Sequence, residues 1–325
     1  MKLVEFVPPV PHPLWRLCLQ MGITDVIVKV MGQDPSKVVA DLAAAGLRVV
    51  GFEGDMFDMS PIKEGLPNRD EAIAKYIEYL ELMARHDIRL LCYNFMVGTG
   101  WSRTGVREGR GGAKATYFSL REVERLRGCA VERLKLTQEQ VWANYEYFIK
   151  AVMPTAEKVG VRMGLHPDDP CLPALGGYAR IFGSVEAYDR AYAIYPSESN
   201  AVTFCQANFK LMSSFAKATE DEGATQWLID AAKHFGKRIA FIHVRDVEGT
   251  KEDFTELFHD QGTTDQFALM RTYRELGLDV PVRGDHVPEM EGDGRIAADS
   301  IPGYSTLGRL FANGYLKALL KGTEA

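Results

Sequence analysis
Four short segments of the chain each carry one strong metal-ligand type: Gly164-Leu165-His166-Pro167-Asp168, Thr203-Phe204-Cys205-Gln206, Phe241-Ile242-His243-Val244-Arg245 and Arg283-Gly284-Asp285-His286. The residues that stand out are His166, Cys205, His243 and Asp285. Each sits at a similar place, the end of a short run of apolar residues. Two imidazoles, a thiolate and a carboxylate make a credible sphere for a divalent ion. Any one of them alone is compatible with ordinary core packing, but four in register on successive runs are hard to explain that way. By ligand softness alone, zinc or iron ranks above manganese, because thiolate is an unusual manganese ligand.

The elements that must position these residues follow from the apolar runs. Eight segments rich in β-branched and apolar residues read as strands: Lys2–Val7, Asp25–Val30, Arg48–Gly54, Ile88–Phe95, Arg162–Pro167, Ala201–Gln206, Ile239–Asp246 and Asp279–His286. Continuous apolar runs of this length suit parallel strands buried on both faces. Helical patterns lie between them at Pro35–Ala45, Asp70–His86, Gln138–Val159, Val185–Ile194, Thr225–Phe235, Thr264–Leu276 and Tyr304–Leu320, with Asp34 as N-cap and Pro35 at the first helical position of the first. The first connection, around Pro11–Gln20, reads as short and proline-marked. Strands alternating with helices are crossover units, and eight of them indicate a closed (β/α)₈ TIM barrel, an α/β fold, with a doubly wound open sheet as the alternative. No linker or internal repeat breaks the chain, so residues 1–325 read as one domain. In a barrel of this kind the chemistry sits at the carboxyl ends of the strands, where the four ligand types fall.

The interval from Val97 to Leu136 departs from this rhythm. It carries Gly98, Gly100, Gly105, Gly109, Gly111 and Gly112, interleaved with Arg103, Arg107, Arg110, Arg121, Arg125, Arg127 and Arg133. A long glycine-rich excursion inside a compact domain is either functional or simply solvated. This one follows the fourth strand and would emerge at the catalytic face, where it would serve as a mobile lid.

Composition narrows the function classes. At 325 residues, with 46% apolar and 25% charged residues, the chain is globular. A net charge of −6 gives no attraction for polyphosphate, so no nucleic-acid partner is expected. No apolar run reaches membrane-spanning length. The opening Met1-Lys2-Leu3-Val4-Glu5-Phe6-Val7 enters a strand directly, so no signal peptide is expected. The five cysteines, Cys18, Cys92, Cys129, Cys171 and Cys205, are scattered without CxxC spacing, as suits reduced thiols in a cytoplasm.

Longer motifs carry a family resemblance. Cys92-Tyr93-Asn94-Phe95-Met96 followed by Trp101-Ser102-Arg103-Thr104, and Ile62-Lys63-Glu64-Gly65 with Arg69-Asp70, resemble hallmark stretches of the mannonate dehydratases. So do His166-Pro167-Asp168-Asp169-Pro170 with Arg180-Ile181, the spaced set Phe254, Glu256, His259, Gly262 and Asp265, the pair Asp285-His286, and Pro302-Gly303-Tyr304-Ser305. The matches run from about Phe52 to Leu320. The resemblance implies a (β/α)₈ barrel of the xylose-isomerase-like group. It implies Mn²⁺ held by His166, Cys205, His243 and Asp285, with Fe²⁺, Co²⁺ or Zn²⁺ as alternatives, and acid–base roles for His286 and Tyr304. It further implies a small sugar acid as substrate, a part in hexuronate degradation and a homo-oligomeric cytoplasmic enzyme.

The chemistry agrees with these parts. Dehydrating a 2,3-dihydroxy acid such as D-mannonate to 2-keto-3-deoxy-D-gluconate removes a weakly acidic proton next to a carboxylate. A divalent ion gripping the acid stabilises the charge that develops. A base must take the proton and an acid must protonate the departing 3-hydroxyl. His286, with an ordinary pKa of about 6.5, is the natural proton carrier. Tyr304 is its partner, with the direction of transfer left open by the sequence. Arg103 is expected to clamp the substrate carboxylate bidentately, Asn94 and His259 to bind sugar hydroxyls, and Asp168 and Arg245 to orient the ligands.

Two stretches depart from the family pattern. Where the family commonly shows Asp-His-Gly-His, this chain has Asp285-His286-Val287-Pro288, and after Cys205 it has Gln206-Ala207-Asn208-Phe209-Lys210 instead of small Gly/Ser-rich residues. Both lie where substrate is read and leave the ligand set intact, so a close analogue of mannonate is an alternative substrate. A sugar isomerase or epimerase, or a non-catalytic sugar-acid-binding or metal-storing barrel, are the competing readings. The cysteine ligand speaks against the isomerase, and retention of His286 and Tyr304 speaks against the binding protein.

Overall fold
The computed structural model describes residues 1–127, 135–213, 222–296 and 303–324. Cys129, Arg133 and Pro302 lie outside the described residues. In chain order the strands are β1 (Lys2–Leu3), β2 (Glu5–Val7), β3 (Asp25–Val28), β4 (Arg48–Glu53), β5 (Leu90–Tyr93), β6 (Gly105–Glu108), β7 (Lys114–Ser119), β8 (Arg162–Leu165), β9 (Ala174–Leu175), β10 (Tyr178–Ala179), β11 (Asn200–Cys205), β12 (Ile239–Val244), β13 (Val247–Thr250), β14 (Asp253–Glu256) and β15 (Pro281–Gly284). The helices are α1 (Pro13–Gln20), α2 (Pro35–Ala44), α3 (Ser60–Glu64), α4 (Arg69–Arg85), α5 (Leu120–Arg127), α6 (Gln138–Val159), α7 (Val185–Ile194), α8 (Gln206–Met212), α9 (Glu222–Phe235), α10 (Gln266–Glu275), α11 (Asp293–Ile296) and α12 (Thr306–Gly322).

The main sheet is parallel and runs in the order β1-β15-β12-β11-β8-β5-β4-β3-β2. Its two ends belong to one segment. Lys2 and Leu3 pair with β15, and Glu5–Val7 pair with β3. The first expected strand is therefore shared between its two neighbours, with Val4 bonded to Val282 across the seam (2.9 Å). The sheet closes as an eight-stave barrel and excludes the open-sheet alternative. Every residue of β3, β5, β11 and β12 is buried, which is why these strands read as unbroken apolar runs.

Close approach of the staves needs small residues. A Cβ on Gly164 would lie 2.7 Å from Thr203 Oγ1, and the Thr203 hydroxyl donates to the Gly164 carbonyl (2.9 Å). Glycine at this point lets β8 and β11 come together, and it thereby sets His166 beside Cys205. On the outer ring α6 carries a capping box, Thr137 with Gln140, and ends at Gly160 in the left-handed region. Asp34 caps α2 as expected, accepting from Ser36 N (2.9 Å).

The sequence reading missed several elements. The Pro11–Gln20 connection holds helix α1, capped by His12, whose Nδ1 accepts from Leu14 N (3.0 Å). Gln206 begins α8 and does not end a strand. The glycine-rich excursion contains the hairpin β6–β7 and helix α5, so it is not a plain loop. Its hairpin joins a second one that follows β12, giving an antiparallel sheet in the order β13-β14-β7-β6. Phe118 pairs with Phe254, their rings stacked 5.9 Å apart, and Arg107 and Arg110 tie to Asp253 and Asp260. Sheet pairing between segments so far apart leaves no local periodic trace beyond two short runs.

Candidate metal centre and active site
Ligand atoms of His166, Cys205, His243 and Asp285 all lie within 4.8 Å of one another. The barrel explains this: the four residues end β8, β11, β12 and β15, which are neighbours in the sheet. Cys205, His243 and Asp285 are buried, and His166 is partly so. His166 Nδ1 is held by the Pro167 carbonyl (2.8 Å), which leaves Nε2 for a ligand. Burial lowers the pKa of His166, opposed by the charge of Asp285, and so favours the neutral imidazole that a metal requires. His243 Nε2 faces Arg283 Nε at 3.3 Å and Glu53 Oε2 at 3.6 Å, whereas its buried Nδ1 has no hydrogen-bond partner among the described residues. An orphaned buried nitrogen, 3.7 Å from Asp285 Oδ2, fits a site shaped for a cation. Burial alone would raise the pKa of Asp285; His286, Arg283, His243 and Arg245 hold it well below the carboxylate range.

The cluster opens into a cavity of about 590 Å³ lined by Glu53, Asn94, Trp101, His166, Asp169, Asp285, His286 and Tyr304, among others. His286 follows β15 and Tyr304 precedes α12. The two are joined by bridges from Val287 to Gly303 and Tyr304, with Val287 N bonded to Gly303 O (2.9 Å). His286 has φ of 30°, a left-handed conformation that costs a non-glycine residue on the order of 1–3 kcal/mol and must be held by its surroundings. The outcome is a hydrogen bond of 3.0 Å between His286 Nε2 and the Tyr304 hydroxyl, with His286 Nε2 3.7 Å from Asp285 Oδ1. The Trp101 ring lies 4.9 Å from the imidazole and forms one wall. Burial raises the pKa of Tyr304 above its ordinary value, so its hydroxyl stays protonated.

Behind the imidazole lies a buried network of four charges. Arg103 grips Asp169 bidentately (2.6 and 3.0 Å) and bonds Glu256 through Nε (3.1 Å). Arg245 Nη1 bonds Asp169 (3.1 Å) and Glu256 (3.0 Å), and it lies 3.5 Å from Asp285. Burial opposes ionisation of Glu256, but Arg103, His286 and Arg245 hold its pKa at about 2. Arg103 and Asp169 hold each other ionised in the same way.

This placement bears on the expected role of Arg103. Its fork is engaged by Asp169 and Glu256, it is buried, and it does not line the cavity, so the expected clamp on the substrate carboxylate is committed to protein. We predict that Arg103→Lys lowers stability by on the order of 2–4 kcal/mol, because one ammonium leaves a buried carboxylate under-bonded. Its turnover number should fall with little change in KM. An unchanged melting temperature with a KM raised about tenfold would restore the clamp.

The other expected residues divide in the same way. Asn94 lines the cavity, its Oδ1 accepting from Lys63 Nζ (3.0 Å) and Met96 N (3.1 Å). His259 does not. It packs behind Gly284, and burial pushes its pKa down to about 4. Arg245 reaches the ligand Asp285, whereas Asp168 ties the following loop through Phe182 N (2.7 Å). Sequence reasoning gave no role to Glu53, Arg283, Asp169 or Glu256. Glu53 and Arg283 form a buried bidentate pair (2.6 and 3.1 Å) against His243 and Asp285. The available signal was a charged residue near the end of an otherwise apolar strand, with Arg283 two positions before Asp285 and so on the same face.

A closed parallel barrel with this cluster of side chains able to hold a metal ion, and an adjacent imidazole–phenol pair, defines a (β/α)₈ barrel of the kind that carries its chemistry at the carboxyl ends of the strands. The family profile described as D-mannonate dehydratase (UxuA) matches residues 40–325, and the chain belongs to that family. It is 29% identical to the mannonate dehydratase of Brachyspira hyodysenteriae over 90% of this chain and 86% of that one. The crystal structure of mannonate dehydratase from Streptococcus suis serotype 2 superposes with a TM-score of 0.83 at 26% identity, covering 99% of this chain and 95% of that one. An L-ribulose 3-epimerase shares the fold at a TM-score of 0.59 and 10% identity, covering 99% and 96% of the two chains.

Proposed function
We propose that the chain is a metal-dependent hydro-lyase that converts D-mannonate, or a close aldonic acid, to 2-keto-3-deoxy-D-gluconate and water. Family membership names the reaction. The observation that supports it most directly is the His286–Tyr304 pair, 3.0 Å apart, beside the four-ligand cluster. His166, Cys205, His243 and Asp285 would hold the metal. A divalent ion there supplies positive charge against the negative charge that grows on the acid as the C2 proton leaves.

The chain's own residues do the rest. His286 Nε2 takes the C2 proton. Tyr304, kept protonated by burial, gives its proton to the 3-hydroxyl as the C3–O bond breaks. Water leaves, and the resulting enol becomes the 2-keto product. The proton on His286 then returns to Tyr304 across their hydrogen bond, and both residues regain their starting states. Trp101 screens the pair from solvent. With Arg103 committed elsewhere, Lys29 is the lining cation that meets the acid, Arg309 being held by the Phe6 carbonyl (2.8 Å), and Asn94 meets a hydroxyl.

The same reading gives manganese as the metal, hexuronate breakdown as the setting, the cytoplasm as the compartment and a homo-oligomer as the working form, all on the strength of the family. No helix among the described residues is long and apolar enough to cross a membrane. The test is turnover of D-mannonate and other aldonic acids with added Mn²⁺, followed by mass spectrometry. Loss of one water is expected. A product of unchanged mass would make the protein an isomerase or epimerase, and binding without turnover would make it neither.

A further inference from the structure
We propose that Glu256 is the positioning residue of His286: it fixes the imidazole proton on Nδ1, so that Nε2, at the cavity, carries no proton and acts as the acceptor. This rests on the proton-transfer role proposed above for His286. Glu256 ends β14, in the antiparallel sheet outside the barrel, and its Oε1 lies 2.7 Å from His286 Nδ1. An ionised carboxylate only accepts, so this contact requires the proton on Nδ1. The Glu256 side chain is fixed from its other oxygen by the hydroxyl of Thr116 on β7. The two hairpins that meet in this sheet therefore hold the carboxylate jointly.

A competing donor touches the same nitrogen. Arg245 Nη1 is in contact with His286 Nδ1, and Arg103 Nη2 lies 3.5 Å away. Their hydrogens have other acceptors. Arg245 Nη1 has Asp169 Oδ2 (3.1 Å) and Glu256 Oε1 (3.0 Å), and Arg103 Nη2 has Asp169 Oδ2 (3.0 Å). The Nδ1 proton of His286 has Glu256 alone among the described residues. With Nδ1 so engaged, the 3.0 Å contact at Nε2 runs from the Tyr304 hydroxyl to the imidazole, which leaves His286 as the group able to receive a proton. The guanidinium groups of Arg103 and Arg245 keep Glu256 ionised, and that gives the buried network a role beyond packing.

Nitrogen-15 NMR of the zinc-loaded wild-type protein, with the His286 signals assigned by their loss in His286→Ala, reads the tautomer directly. The proposal expects Nδ1–H; a resting Nε2–H overturns it. The measurement needs no substrate, so it stands apart from the turnover assay on which the proposed function depends. In turnover, Glu256→Gln should lower kcat by on the order of 10²–10⁴ with KM within about threefold and metal content unchanged, because the amide permits the wrong tautomer. Glu256→Asp, which keeps the charge, should recover part of that loss. A Glu256→Gln protein with wild-type kcat, or one whose NMR still shows Nδ1–H, overturns the proposal. If the variant does not fold, the wild-type spectrum decides.

Discussion

Cys205→Ala and His243→Ala are each expected to strip the protein of its divalent ion, taking metal content from about one per chain to a small fraction of that, and turnover with it. Each residue would supply one of four ligand atoms, which cluster within 4.8 Å, and both side chains are buried, so water reaches the vacated position poorly. Three remaining ligands hold a divalent ion far less tightly than four. Metal analysis by mass spectrometry after gel filtration is the direct reading. A second reading comes from stability, since an ion that binds only the folded chain adds about 2.7 kcal/mol at a free concentration of 100 times its Kd. Chelation should therefore lower the melting temperature of the wild type and leave that of Cys205→Ala nearly unmoved. Unchanged metal content in both variants would place the ion elsewhere, whereas loss in His243→Ala alone would point to the second cluster, Glu53, Cys92 and His243.

His286→Ala and Tyr304→Phe form the second test, and the expected pattern is the opposite one. Neither residue belongs to the ligand set, so both variants should keep the metal, while turnover falls by on the order of 10²–10⁴ as the loss of a general base or acid would cause. Tyr304→Phe is the cleaner of the two. It removes one hydroxyl from a ring that keeps its packing against Phe6 and Trp101, and among the described residues the one bond lost is that to His286. His286→Ala keeps the strained backbone at φ 30°, because alanine also has a Cβ, and removes a partner of Glu256, so some loss of stability is expected with it. Measured in single turnovers, either variant should slow the chemical step and leave substrate affinity largely intact. A variant with wild-type turnover removes that residue from the mechanism.

The two tests draw on different depths of the molecule. The clustering of His166, Cys205, His243 and Asp285 was legible because parallel staves end at one level: a chemically distinctive residue at the end of each of four adjacent apolar runs projects to the same place. Asn94 and Tyr304 were legible through motif resemblance and do line the cavity. Arg103 and His259 had the same kind of support and were placed differently. An arginine within reach of substrate and an arginine locked to two carboxylates have the same local sequence. What separates them is Asp169, 66 residues away, and Glu256, 153 residues away. The glycine-rich interval posed the same difficulty, since its strands gain their partners from a hairpin more than a hundred residues further on.

The sequence by itself determined the eight staves, most of the outer helices and the four side chains that cluster at their ends. These depend on local periodicity and on the geometry that every parallel barrel imposes. Only the tertiary structure decided which charges meet: Arg283 with Glu53, Arg103 and Arg245 with Asp169 and Glu256, and Glu256 with His286. The physical reason is desolvation. Inside the protein an unpaired charge is far too costly to leave alone, so each buried ion takes the partner that long-range packing brings within about 3 Å, and no run of neighbouring residues encodes that choice.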